Sequence, residues 1–472
     1  MKKSNIPFLT AMELSRRIKN RQVSVVETVE AYLARIAKLN PLLNSYITVS
    51  ADEALEAAAR ADREIGKGQY RGPMHGIPVA VKDQVLTRGV RTTAGSLILK
   101  DWVPEEDATL ISRLKRAGAI IIGKTNMTEF AITTNHHFPY GMTTNAWDTS
   151  RFAGSSSGGS ASATVAFMCA TSIGEDTGGS IRGPAAVSGL AGLRPTWGLV
   201  SRYGLLGAAW SMDIAGPMSR TVEDCAMTLQ AIAGYDPKDD STWKVRVPDY
   251  VRALDGGIKG LKVGVVKERI HTDDAAPEVR KAVSKGIGVL GELGADVEEV
   301  SLPMIVHSAA FSMTVCLVEG AAAHRQYIPD RLNDYQHELR LVQQVGMVMP
   351  GQTYYKAQKL REMWRQQMLG ALRKYDVLVY PTSPSLAPPA PPPTGLQNKA
   401  DAKADLYGRR SFTHPVNLAS ACGLSVPCGF SESGLPIGMQ IIGRPMSDAM
   451  VMRVGHTYQQ ATDWHERRPP VG

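Results

Sequence analysis

Ile77-Pro78-Val79-Ala80-Val81 is an uninterrupted apolar run, bounded by Gly76 and Lys82, that predicts a buried β-strand. The spacing that follows predicts a helix over Thr109–Ala117, and Ala119–Ile122 then predicts a second buried strand. The same alternation returns later in the chain. The further predicted strands are Lys262–Lys267, Asp376–Tyr380 and Ile437–Ile442, and a predicted helix is Pro277–Leu290. Alternating strands and helices predict an α/β fold with a parallel or mixed sheet.

Two capping boxes predict helices near the N-terminus. They pair Thr10 with Glu13 and Ser24 with Glu27. The helix after Ser24 is predicted to end at Pro41, because proline breaks the helical hydrogen-bond ladder. A proline-rich segment, Ser383–Thr394, predicts a stiff surface loop in extended conformation.

Composition excludes several broad classes of protein. The 472 residues are 43% hydrophobic and 21% charged, which is ordinary for a globular chain and excludes disorder, collagen-like repeats and a disulfide scaffold. The net charge of +8 (53 basic minus 45 acidic residues) is mild for this length. Consecutive basic residues occur in pairs at most, such as Arg409-Arg410 and Arg467-Arg468, so no nucleic-acid partner is predicted.

Cysteine usage and the apolar runs indicate a cytoplasmic protein. The five cysteines are odd in number and form no C-x-x-C motif, which fits a reducing compartment. No apolar signal-peptide region follows Met1-Lys2-Lys3. The longest apolar run, Ser308–Val318, ends at Glu319 and predicts a buried helix rather than a membrane span.

The segment Gly154-Ser155-Ser156-Ser157-Gly158-Gly159-Ser160 admits several interpretations. A flexible linker is disfavoured because the segment runs directly into Ala161–Cys169, a predicted buried helix. A phosphate loop is disfavoured because its lysine is missing. The letters also match the G-x-S-x-G nucleophile elbow around Ser156, which needs a later histidine. The candidate histidines His414, His456 and His465 leave that alternative open.

Another serine pattern, S-x-x-K, occurs at Ser241–Lys244. It lies in a charged loop beside Asp239 and Asp240, so we interpret it as coincidental.

Three places taken together resemble the amidase signature family. They are Val81-Lys82-Asp83, the serine–glycine segment, and Asp176-Thr177-Gly178-Gly179-Ser180-Ile181-Arg182. The resemblance extends from about residue 10 to 468 and includes Gly76–Asp83, Gly123–Asn126, Gly192–Thr196 and Leu435–Gln440. It implies a single large α/β/α domain over residues 1–472, in which helices cover a twisted mixed sheet. Residues 300–400 are the variable part, expected to form the outer wall of the substrate pocket.

The family hydrolyses amides with a Ser–cis-Ser–Lys triad. The resemblance therefore implies that Ser180 is the nucleophile, Ser156 the bridging serine after a cis peptide bond, and Lys82 the base. Lysine is a base only when neutral, so its pKa must fall from about 10.4 toward 7–8 through burial. Asp83 should point to the opposite face of the strand and so need not hold Lys82 charged.

Further roles are implied for the residues around this triad. Backbone N–H groups beside Ser180 would stabilise the oxyanion, and the glycines there let the backbone approach the substrate. The implied oxyanion-hole residues are Thr177, Gly178, Gly179 and Ser180; the implied site supports are Ser157, Asp176 and Arg182. The resemblance to the fatty acid amide hydrolase branch implies that Ala131 lines the acyl pocket.

Two positions depart from the family pattern. Ser155 replaces the second of the two glycines that usually precede the serine pair, and Glu175 stands where a small residue is usual. Glu175 could tune the electrostatics of the pocket or simply face solvent.

The predicted function is hydrolysis of an amide C–N bond through an acyl-enzyme. We expect hydrophobic aryl or alkyl amides as substrates, with esters and carbamates (urethanes) as further candidates. Methionines between Met313 and Met368 suggest an adaptable apolar pocket wall. No cofactor or metal is expected, since His136-His137 is an isolated pair.

The partner is expected to be a small-molecule amide, with a homodimer as the open alternative to a single chain. The principal alternative function is the A subunit of glutamyl-tRNA amidotransferase, in which glutamine is the acyl donor. A Ser-His-Asp hydrolase of the α/β-hydrolase type is the weaker alternative, and a non-enzymatic binding module is the least favoured.

Overall fold

The computed structural model describes residues 3–132, 138–391, 398–401, 408 and 410–471. Within them, eleven strands form one mixed sheet in the order β1-β3-β2-β6-β8-β7-β12-β13-β11-β9-β10, and β4 pairs with β5 separately. The strands are β1 Tyr46–Val49, β2 Pro78–Lys82, β3 Ile120–Thr125, β4 Thr144–Asn145, β5 Asp148–Phe152, β6 Thr171–Glu175, β7 Ala191–Arg194, β8 Ala215–Ser219, β9 Lys262–Val266, β10 Asp296–Val300, β11 Val377–Pro381, β12 Cys422–Phe430 and β13 Pro436–Gly443.

Helices cover this sheet. They are α1 Ala11–Lys19, α2 Val25–Leu43, α3 Ala51–Gly66, α4 Thr109–Arg116, α5 Gly158–Val165, α6 Arg182–Ser188, α7 Val222–Ile232, α8 Lys267–Ile270, α9 Pro277–Glu292, α10 Ser308–Ala323, α11 Ile328–Arg331, α12 His337–Val348, α13 Gly351–Ala371, α14 Arg410–Leu418 and α15 Asp448–Gln460. The predicted α/β class with one large mixed sheet is therefore confirmed.

The N-terminal helices begin where the capping boxes predict. Both boxes form, with the side chains of Thr10 and Ser24 accepting from the backbone N–H three residues later. The predicted end of α2 at Pro41 is wrong, because the helix continues to Leu43. Proline in the last turn forfeits a single backbone hydrogen bond, and Asn44 ends the helix in the left-handed conformation.

Two other segments differ from their predictions. The buried helix expected over Ala161–Cys169 begins earlier, at Gly158, and ends at Val165, because Phe167 adopts a positive φ. The proline-rich segment is not a free surface loop at its start, where Ser383 is buried. Its backbone pairs with β5 through Ala390 N and Ser150 O at 3.1 Å. Pro392 to Thr394 lie outside the described residues.

By length and composition alone, one helical stretch of the described chain, Pro303–Ala323, could cross a membrane. Half of its apolar window is buried inside the molecule. The α10 part of this stretch packs against α12 and α13. These contacts are those of a helix packed within the fold.

The sheet brings two strand ends together at the place that matters for function. β2 and β6 are neighbouring parallel strands in which every residue is buried, with Val81 opposite Ile173. The carboxyl ends of parallel strands meet at one edge of a sheet, where α/β proteins commonly bind their ligands. Lys82 ends β2 and Glu175 ends β6, so both lie at this edge.

Candidate active site

A cavity opens at the edge where β2 and β6 end. Ser156 and the turn Thr177–Ser180 line one side of it. Ser156 precedes α5 and Ser180 precedes α6, so each serine is placed by the chain as it enters a helix. The peptide bond between Ser155 and Ser156 is cis, as the resemblance implied.

Lys82 is the buried base candidate beside this cavity. Its side chain is 0% exposed. The amine Nζ lies 2.7 Å from Ser156 Oγ and 3.1 Å from Glu175 Oε2. Burial lowers the pKa of Lys82, while the Glu175 carboxylate opposes that shift. The amine is thus held against a serine hydroxyl in an environment that favours its neutral form.

The neighbouring carboxylate of Asp83 is directed elsewhere, as strand alternation predicted. It accepts from Thr93 N at 2.8 Å and lies 3.5 Å from Lys124 Nζ. Burial raises the pKa of Asp83 and lowers the pKa of Lys124 to about 8. This second lysine and carboxylate form a structural pair that leaves Lys82 to Ser156 and Glu175.

Ser180 is half-buried and faces the cavity. Among the residues that the structure describes, no group forms a hydrogen bond with its hydroxyl. The hydroxyls of Ser156 and Ser180 therefore do not bond to each other here, although both line one cavity. A backbone hydrogen bond joins the two segments that carry these serines, since Ser157 N donates to Ser180 O at 3.3 Å.

The backbone N–H groups beside Ser180 are not equivalent. Gly179 N donates to Asp176 Oδ1 at 2.7 Å, so this predicted oxyanion donor is already engaged. Within the described part of the chain, the N–H groups of Thr177, Gly178 and Ser180 have no acceptor. These three donors are the ones available to a developing oxyanion.

Glycine is required at two positions of this turn. A Cβ at Gly178 would lie 2.1 Å from His414 Nε2. At Gly179 the φ is +113°, and a Cβ would lie 2.2 Å from Thr413 Oγ1. A larger residue at either position would displace the α14 side chains that border the cavity.

Asp176 and Arg182 form a buried ion pair next to the turn that presents Ser180. Arg182 Nε lies 3.2 Å from Asp176 Oδ2, and Asn417 Nδ2 donates to Asp176 Oδ1 at 2.7 Å. Burial alone would raise the pKa of Asp176, but Arg182 and Arg194 hold it well below its usual range. Asp176 is therefore a fixed negative charge and not a proton carrier.

The Ser157 hydroxyl bonds to β6 rather than within the serine–glycine segment. Its hydroxyl donates to Glu175 O at 3.2 Å and accepts from Glu175 N at 3.3 Å. The serine thereby fastens the start of α5 to the end of β6.

For Glu175, the sequence left two alternatives open: the residue tunes the electrostatics of the pocket or it faces solvent. It is buried, so the solvent-facing alternative is wrong. Thr177 Oγ1 lies 2.7 Å from Glu175 Oε1 and 2.8 Å from Asp213 Oδ1. A hydroxyl has one proton to donate, so one of the two carboxyl groups must carry a proton for both hydrogen bonds to form. Burial and the Glu175 charge raise the pKa of Asp213 to about 7, which favours Asp213 as that group.

The histidines do not complete a Ser-His-Asp arrangement in the described residues. His414 lines the cavity, but its Nδ1 lies 2.6 Å from Ser312 Oγ, and burial lowers its pKa well below the usual value. His456 and His465 do not line the cavity. Ser156 of the elbow pattern faces Lys82 instead of a histidine. Of the S-x-x-K pair, Ser241 donates to Asp239 and Lys244 lies over Tyr235.

The described residues contain no cluster of His, Cys, Asp and Glu that could hold a metal ion. His136 and His137 lie outside the described residues.

The outer wall of the cavity includes part of the 300–400 region. Met313, Cys316, Leu317 and Val342 line it, and Ala131 is also a lining residue. The other methionines do not form a pocket surface. Met347 and Met363 are exposed and Met368 is a core residue, so the expectation of a methionine-rich wall holds only for Met313.

Several known proteins are similar to this chain in sequence and fold. The amidase family model matches residues 27–452. The A subunit of the glutamyl-tRNA(Gln) amidotransferase of Geotalea daltonii is 41% identical over 485 aligned positions, covering 98% of each chain. Among solved structures, the peptide amidase of Stenotrophomonas maltophilia is 31% identical with a TM-score of 0.84, covering 98% of each chain. A bacterial aryl acylamidase is 26% identical with a TM-score of 0.88, covering 97% of each chain.

Replacing Glu175 with glutamine tests the influence of its charge on the base. The carboxylate favours protonated Lys82, so Glu175→Gln removes the interaction that opposes burial and lowers the lysine pKa further. We expect the acidic limb of the kcat/KM profile on an anilide to move to lower pH by about 1–3 units. The exposed Glu432→Gln variant is the control. An unmoved limb in Glu175→Gln would show that the Lys82–Glu175 contact does not govern activity.

Proposed function

Because this chain belongs to the amidase family and acts on amide C–N bonds, we propose that Ser180 is its nucleophile, Ser156 its proton relay and Lys82 its base. The observation that carries the proposal is the 2.7 Å contact of the buried Lys82 amine with Ser156, in the cavity that the Ser180 hydroxyl faces. A serine hydroxyl needs such a base before it attacks a carbonyl.

In the first half-reaction the Ser180 oxygen bonds to the carbonyl carbon of the amide. Its proton passes to Ser156, whose own proton passes to the neutral Lys82 amine. The oxyanion that forms accepts hydrogen bonds from the backbone N–H groups of Thr177, Gly178 and Ser180. The C–N bond then breaks, and the departing amine receives the proton back through Ser156, which leaves an acyl group on Ser180.

In the second half-reaction water attacks the acyl carbon. Ser156 and Lys82 take its proton, and the ester bond to Ser180 breaks as that proton returns to the serine oxygen. The products are a carboxylic acid and a regenerated triad. The same base serves both steps because Lys82 ends each half-reaction neutral.

The preferred substrates we propose are small aryl or alkyl amides, with esters and carbamates (urethanes) as further substrates. Apolar side chains such as Ile132, Val187 and Leu317 line the cavity and suit an apolar acyl or aryl group. The peptide amidase and aryl acylamidase among the relatives support an amide substrate. We further propose that residues 1–472 form one catalytic domain, with 300–400 supplying the variable wall.

The second candidate is the glutamine-hydrolysing half of a glutamyl-tRNA amidotransferase. The sequence comparisons favour it over the stand-alone hydrolase: the chain is 41% identical to a protein of that name over nearly its whole length, against 31% for the peptide amidase and 26% for the aryl acylamidase. In that case glutamine is the acyl donor and further subunits carry the tRNA. The stand-alone hydrolase needs neither, whether it is a single chain or a homodimer. We propose a cytoplasmic location in both cases, because no cysteine of the described chain forms a disulfide.

Removing the nucleophile or the base should have different signatures. Ser180→Ala should abolish turnover of both amides and esters. Lys82→Ala should lower amide turnover by several orders of magnitude but activated-ester turnover less, because a good leaving group needs no proton. The variant His456→Ala is the control and should keep most activity, because this partly buried histidine does not line the cavity. Near-normal amide turnover in Lys82→Ala would exclude the Ser–Ser–Lys mechanism for this chain.

A substrate screen separates the two candidate functions. The purified chain, without ATP, tRNA or other proteins, should hydrolyse anilides, alkyl amides and aryl carbamates faster than free glutamine. The measured quantity is the rate at which amine or ammonia is released from each compound, with all compounds at equal concentration. Glutamine hydrolysis that requires the other components of an amidotransferase, with no turnover of the other compounds, would assign the chain to the amidotransferase.

A further inference from the structure

Arg410 places a positive charge on the wall of the cavity that holds Ser156 and Ser180. It is the first residue of α14, the helix that also supplies Thr413 and His414 to the same wall. Burial is the main cause that lowers the pKa of His414, and the Arg410 guanidinium is the next, so this imidazole is held neutral. Arg410 is then the charged side chain among the described lining residues.

Among the described residues, no acidic side chain balances the charge of Arg410. Within the described residues no carboxylate lies within 4 Å of its guanidinium, and its contact there is the Met313 thioether. A thioether is a weak acceptor, whereas a guanidinium carries five N–H donors. The neighbouring Arg269, by contrast, has oxygen acceptors for its guanidinium: its Nη2 donates to the carbonyl oxygens of Ile305 and Ser411 at 2.8 and 2.9 Å.

We propose that Arg410 binds a carboxylate carried by the substrate, so that the preferred substrates are amides or carbamates with an apolar spacer and a terminal carboxylate. This inference rests on the proposed function and names its substrate class. A guanidinium matches a carboxylate in planar, two-point geometry, and the apolar wall residues Ile132 and Leu317 suit the spacer. Such substrates include monoamides of dicarboxylic acids and amides of amino-carboxylic acids.

The same charges disfavour a substrate that also carries a free ammonium group, such as glutamine. No aspartate or glutamate is among the described lining residues. The acids beside the lining turn, Glu175, Asp176 and Asp213, are buried and are bonded to Lys82, Arg182 and Thr177. An α-ammonium group in the cavity would therefore meet the Arg410 charge without a counter-ion.

Matched substrates test the proposal. Valeryl, glutaryl and γ-glutamyl 4-nitroanilide have acyl chains of similar length that carry no charge, a carboxylate, and a carboxylate with an ammonium group. In a second pair, valeranilide is the uncharged substrate and 4-(valerylamino)benzoate carries the carboxylate on the amine side. We expect one of the two carboxylate substrates to exceed its uncharged partner in kcat/KM by about 10- to 100-fold, and γ-glutamyl to be poor.

The variants then assign that preference to Arg410. Arg410→Met should bring the ratio of carboxylate to uncharged substrate close to one, and Arg410→Lys should keep part of it. Arg365→Met, a surface arginine that lies 3.8 Å from Glu362, should keep the wild-type ratio. Ratios at or below one for both wild-type pairs, or a ratio that survives Arg410→Met, would overturn the proposal while leaving amide hydrolysis intact.

A binding measurement keeps the test independent of turnover. In the Ser180→Ala background, glutaranilic acid and 4-(valerylamino)benzoic acid are titrated calorimetrically against valeranilide. We expect one of the two acids to bind at least about 10-fold more weakly once Arg410→Met is added. Equal affinity of both acids in the two backgrounds overturns the carboxylate site. A site that binds an acid through Arg410 in an enzyme without amide turnover would contradict the proposed function alone.

Discussion

The buried carboxylate of Asp176 fixes the geometry on which the site depends. It lies between Arg182 and Arg194 and accepts hydrogen bonds from Asn417 and from the backbone of Gly179. Breaking a buried ion pair of this kind by removing one partner costs about 3–5 kcal/mol, because the remaining charge is left uncompensated. The turn that presents Ser180 is therefore held by one charge that the surrounding sheet and helices enclose.

A second constraint follows from where the fold places its charges. Lys82 is enclosed at the end of β2, and the nearby Glu175 stands at the end of the adjacent strand. Burial favours the neutral amine, and Glu175 favours the ammonium ion. Thr177 bonds to both Glu175 and Asp213, so the protonation state of Asp213 also affects the charge around Lys82. The basicity of Lys82 is thus a property of the cluster and not of the lysine alone.

The sequence predicted the fold well because its signals are local. Short apolar runs such as Ile77–Val81 identify buried strands, and the capping boxes identify helix starts, since both depend on neighbouring residues. The family resemblance predicts Lys82, Ser156 and Ser180 as one site. In the structure Ser156 and Ser180 line one cavity, and the buried Lys82 contacts Ser156.

The site contacts that the sequence did not predict are contacts between distant parts of the chain. Asp213 and Asn417 lie far along the chain from Asp176 and Thr177, yet bond directly to this turn. The spacing of residues along the sequence does not predict such pairs. In the sequence Arg410 is only half of a basic pair, and its position on the cavity wall follows from the packing of α14. The unusual Glu175 was the one available signal, because a carboxylate beside a predicted nucleophile needs a partner.

The central claim is that a neutral, buried Lys82 activates Ser180 through Ser156. The pH dependence of inactivation by a fluorophosphonate tests it most directly, because this reagent loses fluoride and needs no proton for its leaving group. We predict that the second-order inactivation rate rises with pH through an apparent pKa well below the usual value of about 10.4, with the phosphonyl group on Ser180 by peptide mapping. A pH-independent rate, or modification of Ser156 with Ser180 untouched, would contradict the account.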